Sequence, residues 1–122
     1  MSRFAVLRHA SPRGTHWDFL LEMGSALRTW ALPQPPEPGA EMICEALPDH
    51  RLAYLDYEGP VSGERGSVAR WDRGTYEVRR QSDLELVLQV SGEKLSGQVV
   101  LSQLADESGR WRFSLAAREL PA

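Results

Sequence analysis

Two of the chain's three histidines and one aspartate fall in a single short stretch, His9-Ala-Ser-Pro-Arg-Gly-Thr-His16-Trp-Asp18. His16 and Asp18 are two residues apart, so on an extended strand both side chains leave the same face. An imidazole beside a carboxylate can hold a divalent cation, and a loop over Ala10 to Thr15 can bring His9 round as a third ligand. Three protein ligands leave coordination positions free for water or a phosphate oxygen, which is how a catalytic metal differs from a closed structural one. The same spacing also suits a histidine that does no more than hydrogen-bond its neighbouring carboxylate.

Strands must position these residues, because the chain is patterned mostly with period two. Phe4 to His9 opens as a strand. In Trp17 to Met23, the residues Trp17, Phe19, Leu21 and Met23 share one face, and His16, Asp18, Leu20 and Glu22 share the other. Gly24-Ser25 turns that run into Ala26 to Leu32, forming a hairpin. Pro33 to Gly39 is a stiff surface connection that cannot join a sheet ladder. Glu41 to Leu47 suits a strand or a short helix, and Arg51 to Tyr57 reads as a strand. Ser67 to Asp72 and Thr75 to Val78 read as two strand pieces bent at Arg73-Gly74. Leu84 to Val90, Leu95 to Leu104 and Trp111 to Leu115 complete the series, joined by turns at Ser91 to Lys94 and Asp106 to Gly109. Many short strands broken by Gly and Pro predict a mainly β single domain over residues 1–122, a small β-barrel or closed sandwich of short antiparallel strands with minor helical segments.

Composition narrows the function. With 42% hydrophobic and 25% charged residues, the chain has the balance of an ordinary soluble domain. Its one cysteine, Cys44, rules out an internal disulfide and suits a reducing compartment. No basic-then-apolar run follows Met1 and no apolar stretch approaches bilayer length, so the expected setting is cytoplasmic, without a membrane partner. A net charge of −3 argues against gripping long duplexes by bulk electrostatics, yet permits receipt of one phosphate at a strand end.

Other residues could take part. His50 lies in Pro48-Asp-His-Arg-Leu-Ala-Tyr54, and on an extended segment His50, Leu52 and Tyr54 face one way. An imidazole and a phenol so placed could both donate to a phosphate oxygen. The plainer alternative is a strand-end histidine and a core tyrosine. Glu58 to Gly66 is glycine-rich without the pattern of a phosphate loop, and its Arg65 is either a phosphate-binding guanidinium or a solvated loop residue. Trp17, Trp30, Trp71 and Trp111 read as core. Cys44 reads as a small apolar residue, and the basic pair Arg79-Arg80 as solvated.

Taken in order, these segments resemble the 3′-phosphoesterase domain of bacterial DNA ligase D and its stand-alone relatives. The matching elements are Phe4-Ala-Val-Leu-Arg-His9, His16-Trp-Asp-Phe-Leu-Leu-Glu-Met-Gly24, Leu27-Arg-Thr-Trp-Ala-Leu-Pro33, and Asp49-His50 with Tyr54. Asp56-Tyr-Glu-Gly59, Gly63-Glu64, Trp71-Asp-Arg-Gly-Thr75 and Gly92-Glu-Lys-Leu-Ser-Gly97 follow in the family order. The resemblance implies a hydrolase in DNA repair that removes a 3′-phosphate or 3′-terminal ribonucleoside from DNA or a DNA/RNA primer-template. It implies a divalent metal, typically manganese with zinc or another transition metal as the alternative, on His9, His16 and Asp18. It further implies phosphate contacts from His50 and Tyr54, a supporting glutamate at Glu22, and a compact barrel with the site on its concave surface. Nucleic-acid 3′ ends and DNA repair proteins are the implied partners.

The chain departs from that family at the phosphate clamp. The family arginine two residues after the metal-binding aspartate falls on Leu20, and the glutamine two before the first histidine falls on Leu7. The acid after that histidine falls on Ala10, the loop from His9 to His16 is one residue longer, and Arg65 stands where tyrosine is frequent. Losing a guanidinium on the reacting phosphate costs several kcal/mol of transition-state stabilisation. Arg13, Arg51 and Arg65 are the candidates to replace it. The rival readings are a non-catalytic or weakened binding module on the same barrel and a phosphodiesterase for a small phosphorylated molecule.

Overall fold

Glycine and proline cut the chain into nine strands in a computed structural model that describes residues 2–106 and 108–117. They are β1 (Ser2–Ser11), β2 (Gly14–Met23), β3 (Ala26–Leu32), β4 (Glu41–Arg51), β5 (Gly59–Pro60), β6 (Ser67–Gln81), β7 (Glu85–Gly92), β8 (Ser96–Gln103) and β9 (Arg110–Ala117). All pairings are antiparallel, in the order β1-β2-β3-β4-β9-β8-β7-β6-β5. β1 also pairs with β6, which closes eight strands into a barrel and leaves β5 as a short addition outside it. No helix of the described residues is long and apolar enough to cross a membrane.

The barrel interior is filled from opposite walls by Phe4, Val6, Phe19, Leu21 and Trp30 on one side and Leu86, Leu88, Val99, Leu101 and Phe113 on the other. Phe19 meets Phe113 edge-on at 5.5 Å and Trp30 meets Trp111 at 5.7 Å, the arrangement aromatic quadrupoles favour. A second apolar cluster lies outside the barrel, where Ala5, Leu7, Leu20 and Leu27 are covered by Leu55 and Val68. β1 and β2 are therefore buried on both faces where these clusters lie. That is why Phe4-Ala-Val-Leu7 and Phe19-Leu-Leu21 run continuously apolar instead of alternating.

Three elements differ from the sequence expectation. Glu41 to Leu47 resolves as strand, and β4 continues to Arg51. Beyond Arg51 the expected strand to Tyr57 does not form, because Leu52–Leu55 make one turn of 3₁₀ helix closed by Asp56 N–H donating to the Ala53 carbonyl at 3.2 Å. That turn drives Leu55 into the outer cluster, and an alternating apolar pattern this short fits either conformation. β6 is one strand rather than two pieces, with its register against β1 shifting beside Trp71 and against β7 beside Arg79. Gly74 serves close approach rather than a bend, since a Cβ there would lie 1.9 Å from the Ser91 carbonyl oxygen.

Asp72 fastens the β7–β8 turn to β6. It is 1% exposed, and its Oδ1 accepts from the backbone N–H groups of Arg73 (2.8 Å), Glu93 (2.8 Å) and Lys94 (3.1 Å). Its Oδ2 accepts from Leu95 N–H at 2.8 Å. Asp72→Asn turns an amide NH₂ toward one of these donors and should destabilise the fold by about 2–3 kcal/mol. A urea midpoint that falls at unchanged slope checks it.

Cys44 lies in the barrel interior at 2% exposure, and burial pushes its thiol up to about 12. A raised pKa shrinks the reactive thiolate population, so at pH 8 the native thiol should be alkylated about a thousandfold more slowly than the unfolded one. Iodoacetamide labelling with and without denaturant measures the ratio.

Candidate metal centre and active site

The β1–β2 hairpin builds the ligand group by pairing rather than by a long loop. Ser11 and Gly14 are register partners around a turn at Pro12-Arg13, and Ser11 Oγ donates to the Gly14 carbonyl at 3.0 Å. His9 and His16 then stand directly opposite each other, with ring centroids 4.7 Å apart. Asp18, two residues beyond His16, projects from the same face. Its Oδ1 lies 2.9 Å from His16 Nε2 and its Oδ2 lies 3.5 Å from His9 Nδ1. The carboxylate is nearly enclosed, at 3% exposure, between two imidazoles that still meet solvent. Its hydrogen bond raises the His16 pKa, burial opposes the shift, and its charge adds to the rise.

Backbone carbonyls fix which ring nitrogens remain available. His9 Nε2–H donates to the Arg65 carbonyl at 2.7 Å, which leaves Nδ1 as the lone pair facing Asp18. The Arg65 carbonyl is placed by a tight loop, in which Val61 N–H donates to the Gly66 carbonyl at 2.8 Å. Gly66 has φ +88° and lies so close to β1 that a Cβ would meet the Ala10 carbonyl oxygen at 1.9 Å. His50 Nδ1–H donates to the Pro48 carbonyl at 3.0 Å, which leaves Nε2 for a ligand. The His50 ring meets Tyr54 edge-on at 5.7 Å, although the 3₁₀ turn, not a shared strand face, brings them together.

A cavity of about 470 Å³ collects His9, His16 and Asp18 with His50, Arg51, Tyr54 and Arg65. It lies against the outer wall of β1–β2, and its concavity comes from the end of β4 and the segment that crosses back over the barrel. Two other candidates are elsewhere. Glu22 lies four residues beyond Asp18 along β2, about 13 Å away. It accepts from Arg3 N–H at 3.1 Å and pairs with the Arg3 guanidinium at 3.7 Å, so it supports none of the ligands. Arg13 is exposed in the hairpin turn and does not line the cavity. Within the cavity the Arg65 guanidinium is engaged, donating to the Ser62 carbonyl at 2.7 Å and to Ser62 Oγ at 3.1 Å. Arg51 has no ion pair among the described residues. The two backbone acceptors, on Pro48 and Arg65, carry no residue-type signature, and only the glycine spacing of the 59–66 loop hinted at one of them.

The donor set suits a transition-metal ion, with imidazole nitrogens and a carboxylate oxygen and no thiolate. The three ligand atoms lie within 4.8 Å of one another. Bonds of about 2.0–2.2 Å in a tetrahedral set put ligand atoms about 3.4 Å apart, so side-chain rotation must draw the more distant of these atoms inward to complete the set.

Residues 7–103 match the family model described as the DNA ligase D 3′-phosphoesterase domain. The chain belongs to that family. Among curated proteins it is 32% identical to the multifunctional non-homologous end joining protein LigD of Pseudomonas aeruginosa, over 96% of this chain. It is 31% identical over 87% of its length to the Mycobacterium bovis protein of the same name. The same values hold for the multifunctional non-homologous end joining DNA repair protein LigD of Mycobacterium tuberculosis. The chain spans 15% of the length of each of these relatives. Two positions that the resemblance marks as departures from the family are apolar and buried. Leu7 and Leu20 are 1% and 0% exposed, and both are committed to the outer apolar cluster beside the ligand trio.

Proposed function

We propose that this chain is a metal-dependent phosphoesterase acting on the 3′ ends of DNA or RNA strands in DNA end repair. The observation that carries the reading is the convergence of His9, His16 and Asp18 on one wall of a cavity that His50 and Tyr54 also line. A divalent ion on those three ligands, with manganese the expected one, would supply Lewis-acid polarisation of the phosphate and an activated water. The chain's own residues do the rest. His50, with Nδ1 held by Pro48, offers Nε2 to a phosphate oxygen or to the leaving oxygen. Tyr54 orients a second phosphate oxygen. Arg51, free of internal ion pairs among the described residues, is the guanidinium best placed to stand in for the one lost at Leu20. Repair proteins of the end-joining type are the proposed partners, in keeping with the names of the relatives.

Incubation with manganese and a primer-template bearing a 3′-phosphate or a single 3′ ribonucleotide tests the activity. Release of phosphate or nucleoside is expected; no product at stoichiometric enzyme rejects it. Leu7 and Leu20 favour a second reading, a binding module on the same barrel that no longer turns over substrate. Calorimetric titration separates the two, because micromolar manganese binding that depends on His16 supports the enzyme and its absence supports the module.

A further inference from the structure

Two cavities meet at His16. The second, of about 490 Å³, lies on the far side of His16 over the outer faces of β3 and β4, and includes Ala31, Pro33, Ile43, Glu45 and Arg110 in its lining. His16 and Leu47 belong to the walls of both cavities, so the imidazole stands as a divide rather than at a closed end. The strand register makes the continuation a straight row: Asp18 is opposite Ala31, Ala31 opposite Glu45, and Glu45 opposite Arg110. Adjacent strands are about 4.8 Å apart, so this row carries Arg110 about 14 Å from Asp18, a distance only a ligand longer than one nucleotide bridges.

The chemistry along the row suits a single nucleotide unit. Ile43 is 38% exposed, one of the few large apolar side chains left open to solvent, and with Pro33 it gives a base an apolar surface. Among the described residues the Arg110 guanidinium is held by its own loop, through Ser108 Oγ at 3.2 Å and Asp106 at 3.5 Å, with both partners of the ion pair half exposed. Such a pair is worth little and exchanges readily for a phosphate. Glu45, facing Arg110 across the strands, limits the arm to one phosphate, in keeping with a chain of net charge −3. We infer that this second arm takes the nucleotide preceding the reacting 3′ group, with its base over Ile43 and Pro33 and its phosphate at Arg110. The ligand is then the end of a strand and not an isolated phosphorylated nucleoside. This inference rests on the proposed reading of the trio as a 3′-end site.

The test measures binding separately from turnover. A fluorescein-labelled deoxytrinucleotide ending in a 3′-deoxy-3′-methylenephosphonate, in which a P–C bond replaces the scissile O–P bond, is titrated by anisotropy in manganese, with the matching thymidine 3′-methylenephosphonate as competitor. The trinucleotide should bind at least about tenfold more tightly than the single nucleotide. Arg110→Glu and Ile43→Glu, checked by thermal melting, should bring the ratio of the two affinities close to one. A ratio near one in the wild type, a ratio that neither variant changes, or failure of both ligands to bind overturns the inference. Loss of turnover on the matching 3′-phosphate, with the length dependence of binding intact, would retire the phosphoesterase activity and leave the strand-end groove standing.

Discussion

Asp18→Ala should remove manganese binding and lower 3′-phosphate release on the order of 10³-fold, measured by calorimetry and by single-turnover assay. Asp18 is the one group that touches both imidazoles, so its loss leaves two histidines with no anionic donor between them. The backbone at this position is held by ladder pairing to Leu7 and Ala31, so the strand survives the substitution. Asp18→Asn keeps the shape and drops the charge, and should also fail to bind metal, which separates a ligand role from a packing role. Turnover unchanged in both variants would defeat the assignment. The pH dependence has a definite sign. The Asp18 hydrogen bond and charge raise the His16 pKa above its ordinary 6.5. A metal must therefore displace a proton that persists above that pH, and affinity should climb as pH rises through and beyond 6.5. In Asp18→Asn the charge that holds the proton is gone, so any residual pH dependence should move to lower pH.

The proximity of His9, His16 and Asp18 was legible in part, because period two and the identity of three residues are both written in the sequence. The device that joins them was not legible, since Ala10 to Thr15 reads as a loop in the sequence, whereas β1 and β2 stay paired out to Ser11 and Gly14 and so set His9 opposite His16. The barrel was legible from many short punctuated runs with no helical periodicity over any long stretch, although the strand expected over Arg51 to Tyr57 and the break expected at Arg73-Gly74 do not form. Tyr54 was placed at the site for a reason that did not hold, since the 3₁₀ turn rather than a strand face directs it there. Glu22 shows the limit of face-sharing as an argument. It lies on the same face of β2 as Asp18, but the strand carries it out of reach and Leu20 lies between them. Backbone acceptors such as the Arg65 carbonyl are silent in sequence, because any residue type supplies one. Two-sided burial of β1 and β2 was only half visible, as continuous apolar runs whose outer cover comes from 50 residues further along.

Restoring the family arginine should harm this protein. Leu20→Arg is expected to cost about 3–5 kcal/mol of stability, read from urea unfolding, without raising turnover. Leu20 is 0% exposed and packs with Ala5, Leu7, Leu27, Leu55 and Val68, none of which offers a side-chain acceptor. A guanidinium introduced there must stay buried among these side chains, with Asp18 and Glu22 two residues to either side, or push Leu55 and the 3₁₀ turn outward. Either course loses apolar contacts, and the second also shifts Tyr54, which packs against the same cluster. Leu7 is the coupled position, since it pairs with Asp18 while Ala5 pairs with Leu20, which makes the two leucines diagonal neighbours across the hairpin. A Leu7→Gln change made together with Leu20→Arg supplies an amide oxygen to the guanidinium, so the double variant should be more stable than the sum of its parts predicts. If Leu20→Arg alone kept full stability and accelerated the reaction, the outer cluster would be a movable lid over a dormant clamp. If it behaves as expected, the apolar floor is built into this chain's fold, and phosphate must be held from the opposite wall by His50, Arg51 and Tyr54.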